Sequence, residues 1–154
     1  MLTEREIEEK LKEKIGSTLA NSKSLRIVGA WDVADIGEVK GQGDASKIVL
    51  AFSVGLRSYQ SFCTPQADFP CVMVLSVRRD ACPTGAELAD IIEPIMNQLH
   101  IWNEDCDRMC DDLNTTTFNA GGFQLDGGML QQDEKCWNIT MNFTLRGIVC
   151  AVGQ

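Results

Sequence analysis

From Phe69 to Trp102 the chain reads FPCVMVLSVRRDACPTGAELADIIEPIMNQLHIW, and this stretch constrains the fold more than any other. Cys71 to Val77 is almost continuously apolar, the pattern of a strand covered on both faces. Arg78, Arg79 and Asp80 end it. Pro83 and Thr84 then open a helix in which Leu88, Ile91, Ile92, Ile95, Leu99 and Trp102 recur at helical spacing. Pro94 lies inside that pattern. There it removes one hydrogen bond and crowds the preceding turn at about 3 kcal/mol in a regular helix, so a kink or a second short helix is expected.

The flanking segments supply more strands and one more helix. Thr3 followed by Glu6 fits a capping box, and Ile7, Leu11, Ile15 and Leu19 recur every four residues, predicting a helix from Glu4 to Leu19 with a narrow apolar stripe. Its other faces carry Glu8, Glu9, Lys10, Lys12, Glu13 and Lys14, so it should lie on the surface of the core or against a partner. Leu25 to Val33 reads as a first strand, ended by the glycine-rich Asp35 to Asp44 loop. Ile48 to Arg57 alternates, with Ile48, Leu50, Phe52, Val54 and Leu56 on one face. Tyr59 to Asp68 connects that strand to the next, and Asn103 to Asp112 reads as a solvated loop or frayed helix end.

Thr115 to Leu125 returns to strand-like residues with a bulge or bend at Gly121 and Gly122, and Gly127 with Gly128 marks a turn. In the final run Trp137, Ile139, Met141, Phe143 and Leu145 alternate with Asn138, Thr140, Asn142, Thr144 and Arg146, so one face is core and the other wet. The order helix, three strands, helix, two strands predicts an α+β fold: a mainly antiparallel sheet of about five strands with two helices packed on one face. At 154 residues, one domain spanning 1–154 is expected.

A formal net charge of −8 argues against a surface that wraps a nucleic-acid backbone, which needs clustered Lys and Arg. No run approaches the ~18 apolar residues of a membrane span. The opening MLTEREIEEK is a charged helix start without an apolar core, so no signal peptide and an intracellular setting are expected. In that reducing setting the seven cysteines read as thiols, and the Asn-x-Ser/Thr triplets at Asn114, Asn138 and Asn142 carry no glycosylation meaning.

Chemistry-bearing constellations are sparse. Cys106 and Cys110 stand one helical turn apart beside Asp107 and Asp111, which is half of a zinc site without the second pair, and no metal is expected there. A nucleophilic cysteine or serine needs a base, and the single histidine, His100, falls between Leu99 and Trp102 on a predicted helix, where a structural role is expected. The cluster Glu104, Asp105, Asp107, Asp111 and Asp112 lacks the ligand spacing and turn glycine of an EF-hand. The glycines at 41, 43, 121 and 122 form no phosphate-binding fingerprint. Trp31 and Tyr59 suit either a partner or ordinary edge packing. No catalytic residue and no cofactor is expected.

Four features, the amphipathic Glu4 to Leu19 opening, the Phe69 to Arg79 strand beginning FPCVMV, the ELADIIEPIMNQL helix and the late strand NITMNFTLRG, together give an outline that resembles the tail-terminator or tail-completion proteins of long-tailed bacteriophages and prophages. The resemblance implies a non-enzymatic protein that forms a ring, of six subunits, on the tail tube and joins it to the head connector. It also implies tail-tube and connector proteins as partners, DNA that passes without specific binding, no membrane, and a place in the host cytoplasm during assembly and then in the virion tail. The candidate assembly loops are Asp35 to Asp44, with Asp35, Glu38, Lys40 and Asp44, and Asn103 to Asp112, with Glu104, Asp105, Asp107 and Arg108. Two other readings remain open: a small intracellular protein-binding or regulatory domain, and a cysteine-dependent enzyme whose base cannot be named.

Overall fold

The computed structural model describes residues 2–19, 25–32 and 47–150. Among them the elements run α1 (Thr3–Gly16, continued by a 3-10 turn over Ser17–Leu19), β1 (Leu25–Gly29), β2 (Ile48–Val54), β3 (Ser58–Tyr59), β4 (Gln66–Arg78), α2 (Gly85–Glu104), α3 (Cys106–Leu113), β5 (Phe118–Gln132) and β6 (Cys136–Val149). The fold is α+β. Its six-stranded sheet has the order β1-β2-β4-β6-β5, with β3 pairing β4 to one side. Only β1 and β2 run parallel, and every other described pairing is antiparallel.

The alternating runs explain why the sheet has one apolar core. Ile48, Leu50, Phe52 and Val54 of β2 join Phe69, Met73, Leu75 and Val77 of β4 and Ile139, Met141, Phe143 and Leu145 of β6 in a single buried cluster. The same cluster takes in Ile7, Leu11, Ile15 and Leu19, then Leu88, Ile95, Leu99 and Trp102 of α2, and Met109 and Leu113 of α3. The every-fourth-residue stripe of α1 is therefore core. Phe69 and Phe118 meet edge to face at 5.1 Å, and Phe123 bridges Trp102 at 5.8 Å and Phe143 at 5.2 Å, geometries that aromatic pairs favour.

Several expectations change. The helix over Gly85–Glu104 continues through Pro94 as one element, so no second helix starts there. The residue does lack an amide to donate to the preceding turn, and burial of Ile95, Leu99 and Trp102 just beyond it holds the helix together. β4 begins at Gln66, earlier than apolarity alone suggests, because β6 pairs it from Gln66↔Ile148 to Arg78↔Cys136 and β3 pairs it at Ala67 and Asp68. The alternation of β2 stops at Val54, and Leu56, expected in the core, is exposed.

Gly127 and Gly128 do not turn the chain. They lie within β5, where the register slips at Leu125/Gly127 and Gly127 has φ 125°, a left-handed backbone that glycine adopts without a Cβ penalty. The expected irregularity near Gly121 and Gly122 is present as a second register shift at Ala120/Gly122. The chain reverses instead after Gln132, where the Asp133 carboxylate accepts from the amides of Lys135 at 2.8 Å and Cys136 at 2.6 Å.

Asn103 to Asp112, expected as a solvated loop or a frayed helix end, is the end of α2 and most of α3, broken only at Asp105. Asp105 leaves helical φ/ψ at −112°, 95°, ending α2, and its side chain then accepts from the Arg108 amide at 3.1 Å to start α3. Trp102 Nε1 donates to Asp112 at 2.9 Å and ties the two helices together. That makes three helices where two were expected.

Candidate assembly surfaces

The expected site residues fall into two groups. Asp35, Glu38, Lys40 and Asp44 lie outside the described residues. Glu104, Asp105, Asp107 and Arg108 stand together, exposed, at the α2–α3 corner, with Asp105 capping both helices and Glu104 3.2 Å from His100 one turn earlier. His100 is a solvent-facing residue with no nucleophile beside it in this pairing. Gly85 to Leu113 holds eight carboxylates and one arginine, so these two helices carry net −7 of the chain's −8. Of the acidic residues, only Asp112 is partly buried, through Trp102. This concentrated negative field repels phosphate backbones and attracts basic surfaces.

Two apolar surfaces emerge, and of their residues the sequence reading raised only Trp31 and Tyr59 as suited to a partner. One is the connection from β2 to β4. There Leu56, Tyr59 and Phe62 are exposed, Phe62 completely, on a segment anchored at both ends. Gly55 N donates to Pro70 O at 2.8 Å, β3 pairs with β4 at Ala67 and Asp68, and Val149 N donates to Pro65 O at 3.1 Å. Trp31 lies alongside, exposed on one side, with Nε1 donating to Val54 O at 3.0 Å. Ile148, paired with Gln66, is exposed at the same end of the sheet.

The second surface is the far half of the β5–β6 ribbon. Every residue of β5 from Asp126 to Gln132 is exposed, including Met129 at 59% and Leu130 at 55%. β5 is an edge strand, and beyond the register slip at Leu125/Gly127 the stretch Gly128–Gln132, GMLQQ, has neither charge nor proline to blunt it. Natural edges usually carry such protection, so an unprotected one marks a place where another chain can add. Tyr59 pairs with Ala67 of β4, whereas Met129 and Leu130 lie across β6 from Val74 and Leu75, so the register sets the two surfaces about eight strand residues, roughly 25 Å, apart. The available signal in the sequence was local: three large apolar residues within a turn-rich connector, and Met-Leu framed by Gly-Gly and Gln-Gln.

Polar contacts tie the first surface to α1 and β6. Glu4, buried at 1% exposure, takes a two-pronged grip from Arg57, Nε to Oε1 at 2.7 Å and Nη2 to Oε2 at 2.8 Å, plus the Arg57 amide at 3.1 Å. Burial pushes the Glu4 carboxyl up, but the Arg57 and backbone hydrogen bonds together outweigh it and hold it below the usual range. Arg57 is correspondingly held more firmly protonated, first by Glu4, and its guanidinium lies 5.7 Å from the Phe69 ring centre. Arg146 grips Asp68 in the same way at 2.7 and 3.2 Å, holding that carboxyl low.

Among the described residues no group of three or more His, Cys, Asp or Glu is arranged to hold a metal ion. None of their helices is long and apolar enough to cross a membrane. No protein-family model matches the chain, and no curated protein matches it.

Proposed function

We propose that this chain is a non-enzymatic structural protein of a long-tailed bacteriophage or prophage, closing the tail tube as a ring and offering the head connector a surface to join. The observation that carries this reading is the pair of unlike apolar surfaces at opposite ends of one sheet: the Leu56–Phe62 connector and the Met129–Leu130 ribbon end. Two unlike patches that cannot meet within one copy suit a heterologous contact between copies, and such contacts give a ring where the rotation between copies closes. Leu56, Tyr59 and Phe62 would receive the ribbon end of the neighbour, whose exposed β5 edge adds backbone hydrogen bonds. The acidic α2–α3 surface suits a conduit wall along which DNA moves without sticking. Glu104, Asp105, Asp107 and Arg108 are its candidates for contact with the tube or connector.

The element order of the chain supports the same reading through its likeness to tail-terminator proteins. A ring of six subunits, assembled in the host cytoplasm and retained in the virion tail, is the form proposed. The competing reading is a small intracellular protein-binding or regulatory domain, for which the open β5 edge would be the docking strand. Native mass measured with and without purified tail tubes separates them. A closed ring, or a monomer that becomes one on tubes, is expected; a strict monomer indifferent to tubes sinks the proposal.

A further inference from the structure

Cys106 and Cys110 occupy one face of α3, four residues apart, and reach neighbouring residues of β5. Cys110 Sγ donates to Ala120 O at 2.8 Å and Cys106 Sγ lies 3.7 Å from Gly121 O. Cβ atoms at i and i+4 on a helix stand about 5–6 Å apart. A disulfide needs about 3.5–4.5 Å, so the intact helix keeps the pair as two facing thiols, and both are free. From successive turns of α3 both sulfurs thus meet one short stretch of β5, Ala120–Gly121.

Zinc is a poor fit, because a closed tetrahedral site takes four ligands and the described residues assemble no group of three. A soft monovalent ion in linear two-coordination is satisfied by two sulfurs. Thiolate ligands select such ions over harder ones. The Asp107 and Asp111 carboxylates beside the pair favour a cation and disfavour an anionic ligand.

We propose that Cys106 and Cys110 form a two-thiolate site for a soft monovalent cation of the Cu(I) and Ag(I) class. Binding is a ligand exchange without redox change: two S–H bonds are replaced by two sulfur–metal bonds, and two protons leave to solvent. This site is independent of the assembly reading and stands or falls separately.

Ag(I) alone, added at one equivalent to the unaltered reduced chain, is the first probe, followed by alkylation and peptide mapping. Cys106 and Cys110 should be protected together while the exposed Cys63 and Cys150 stay reactive. In a Cu(I) competition against a chromophoric chelator, Cys106→Ser and Cys110→Ser should each lose about a hundredfold in affinity, the order gained when a second ligand acts within one molecule. Cys63→Ser should match the parent chain. Protection centred on Cys63 and Cys150, or equal affinity in all three variants, would overturn the site.

Discussion

Two buried glutamates near the start of α1 do opposite electrostatic work. Glu4 is matched by a bidentate guanidinium, whereas Glu8, with no exposed surface, receives the amides of Ala30 at 3.1 Å and Trp31 at 3.0 Å and no basic side chain in those contacts. Removing Arg57 strands a buried carboxylate, so Arg57→Ala should lower stability by about 3–5 kcal/mol in urea denaturation. Arg57→Lys should recover only part, because an ammonium cannot reproduce the planar fork. A loss no larger than that of an exposed ion pair would refute the assignment.

Burial raises the Glu8 carboxyl above its ordinary 4.5, with the Trp31, Val54 and Ala30 backbone hydrogen bonds opposing. A group whose folded pKa is raised is held protonated more tightly by the folded chain. Its contribution is therefore complete below the ordinary value and is lost as pH rises through the folded one. Glu8→Gln should become less destabilising relative to the parent as pH rises upward from about 4.5. A pH-independent difference between the two chains would contradict this. Glu4, Asp32 and Asp68, all held low, contribute in the opposite sense and weaken the fold as pH falls.

At the scale of elements, the β5–β6 ribbon depends on close backbone approach. A Cβ at Gly147 would collide with the Asn119 carbonyl oxygen and the Phe118 ring, both fixed by pairing and core packing. Gly147→Ala should cost about 2–3 kcal/mol in denaturation. Gly85→Ala, at the open first turn of α2 with nothing within 4 Å, should change stability by less than about 0.5 kcal/mol. Equal costs at the two positions would show that steric approach is not what selects Gly147.

The elements also show where local reading stops. The alternation in β2 and β6 and the periodicity of α2 were legible because each is decided by water on one side and core on the other. The same Thr-x-x-Glu signature occurs twice, yet only Thr84 and Glu87 close a capping box. Thr3 bonds Thr117 at 2.7 Å, and Glu6 bonds Thr116 and Thr117, so a partner more than 100 residues away takes the groups that would have capped α1. Glu8 looked solvent-facing because nothing adjacent in sequence announces the two amides that end β1. The site was less legible still: Leu56 continued an apolar alternation, and only the end of β2 at Val54 exposes it.

For the molecule as a whole, charge and apolarity are segregated. The acidic surface belongs to α2 and α3, while the apolar surfaces lie at the two ends of the sheet. This arrangement gives a copy two unlike faces for its neighbours, and the account rests on those faces meeting head to tail. The direct measurement uses two variants, Leu56→Ser with Phe62→Ser, and Met129→Ser with Leu130→Ser, all at exposed positions, followed by light scattering of each alone and of their mixture. The parent chain should form the proposed ring, each variant alone should be monomeric, and the mixture should form a dimer and stop, because it restores one sound connector-to-ribbon contact and leaves the outer faces blunted. A mixture that stays monomeric, or either variant assembling as the parent does, would contradict head-to-tail assembly.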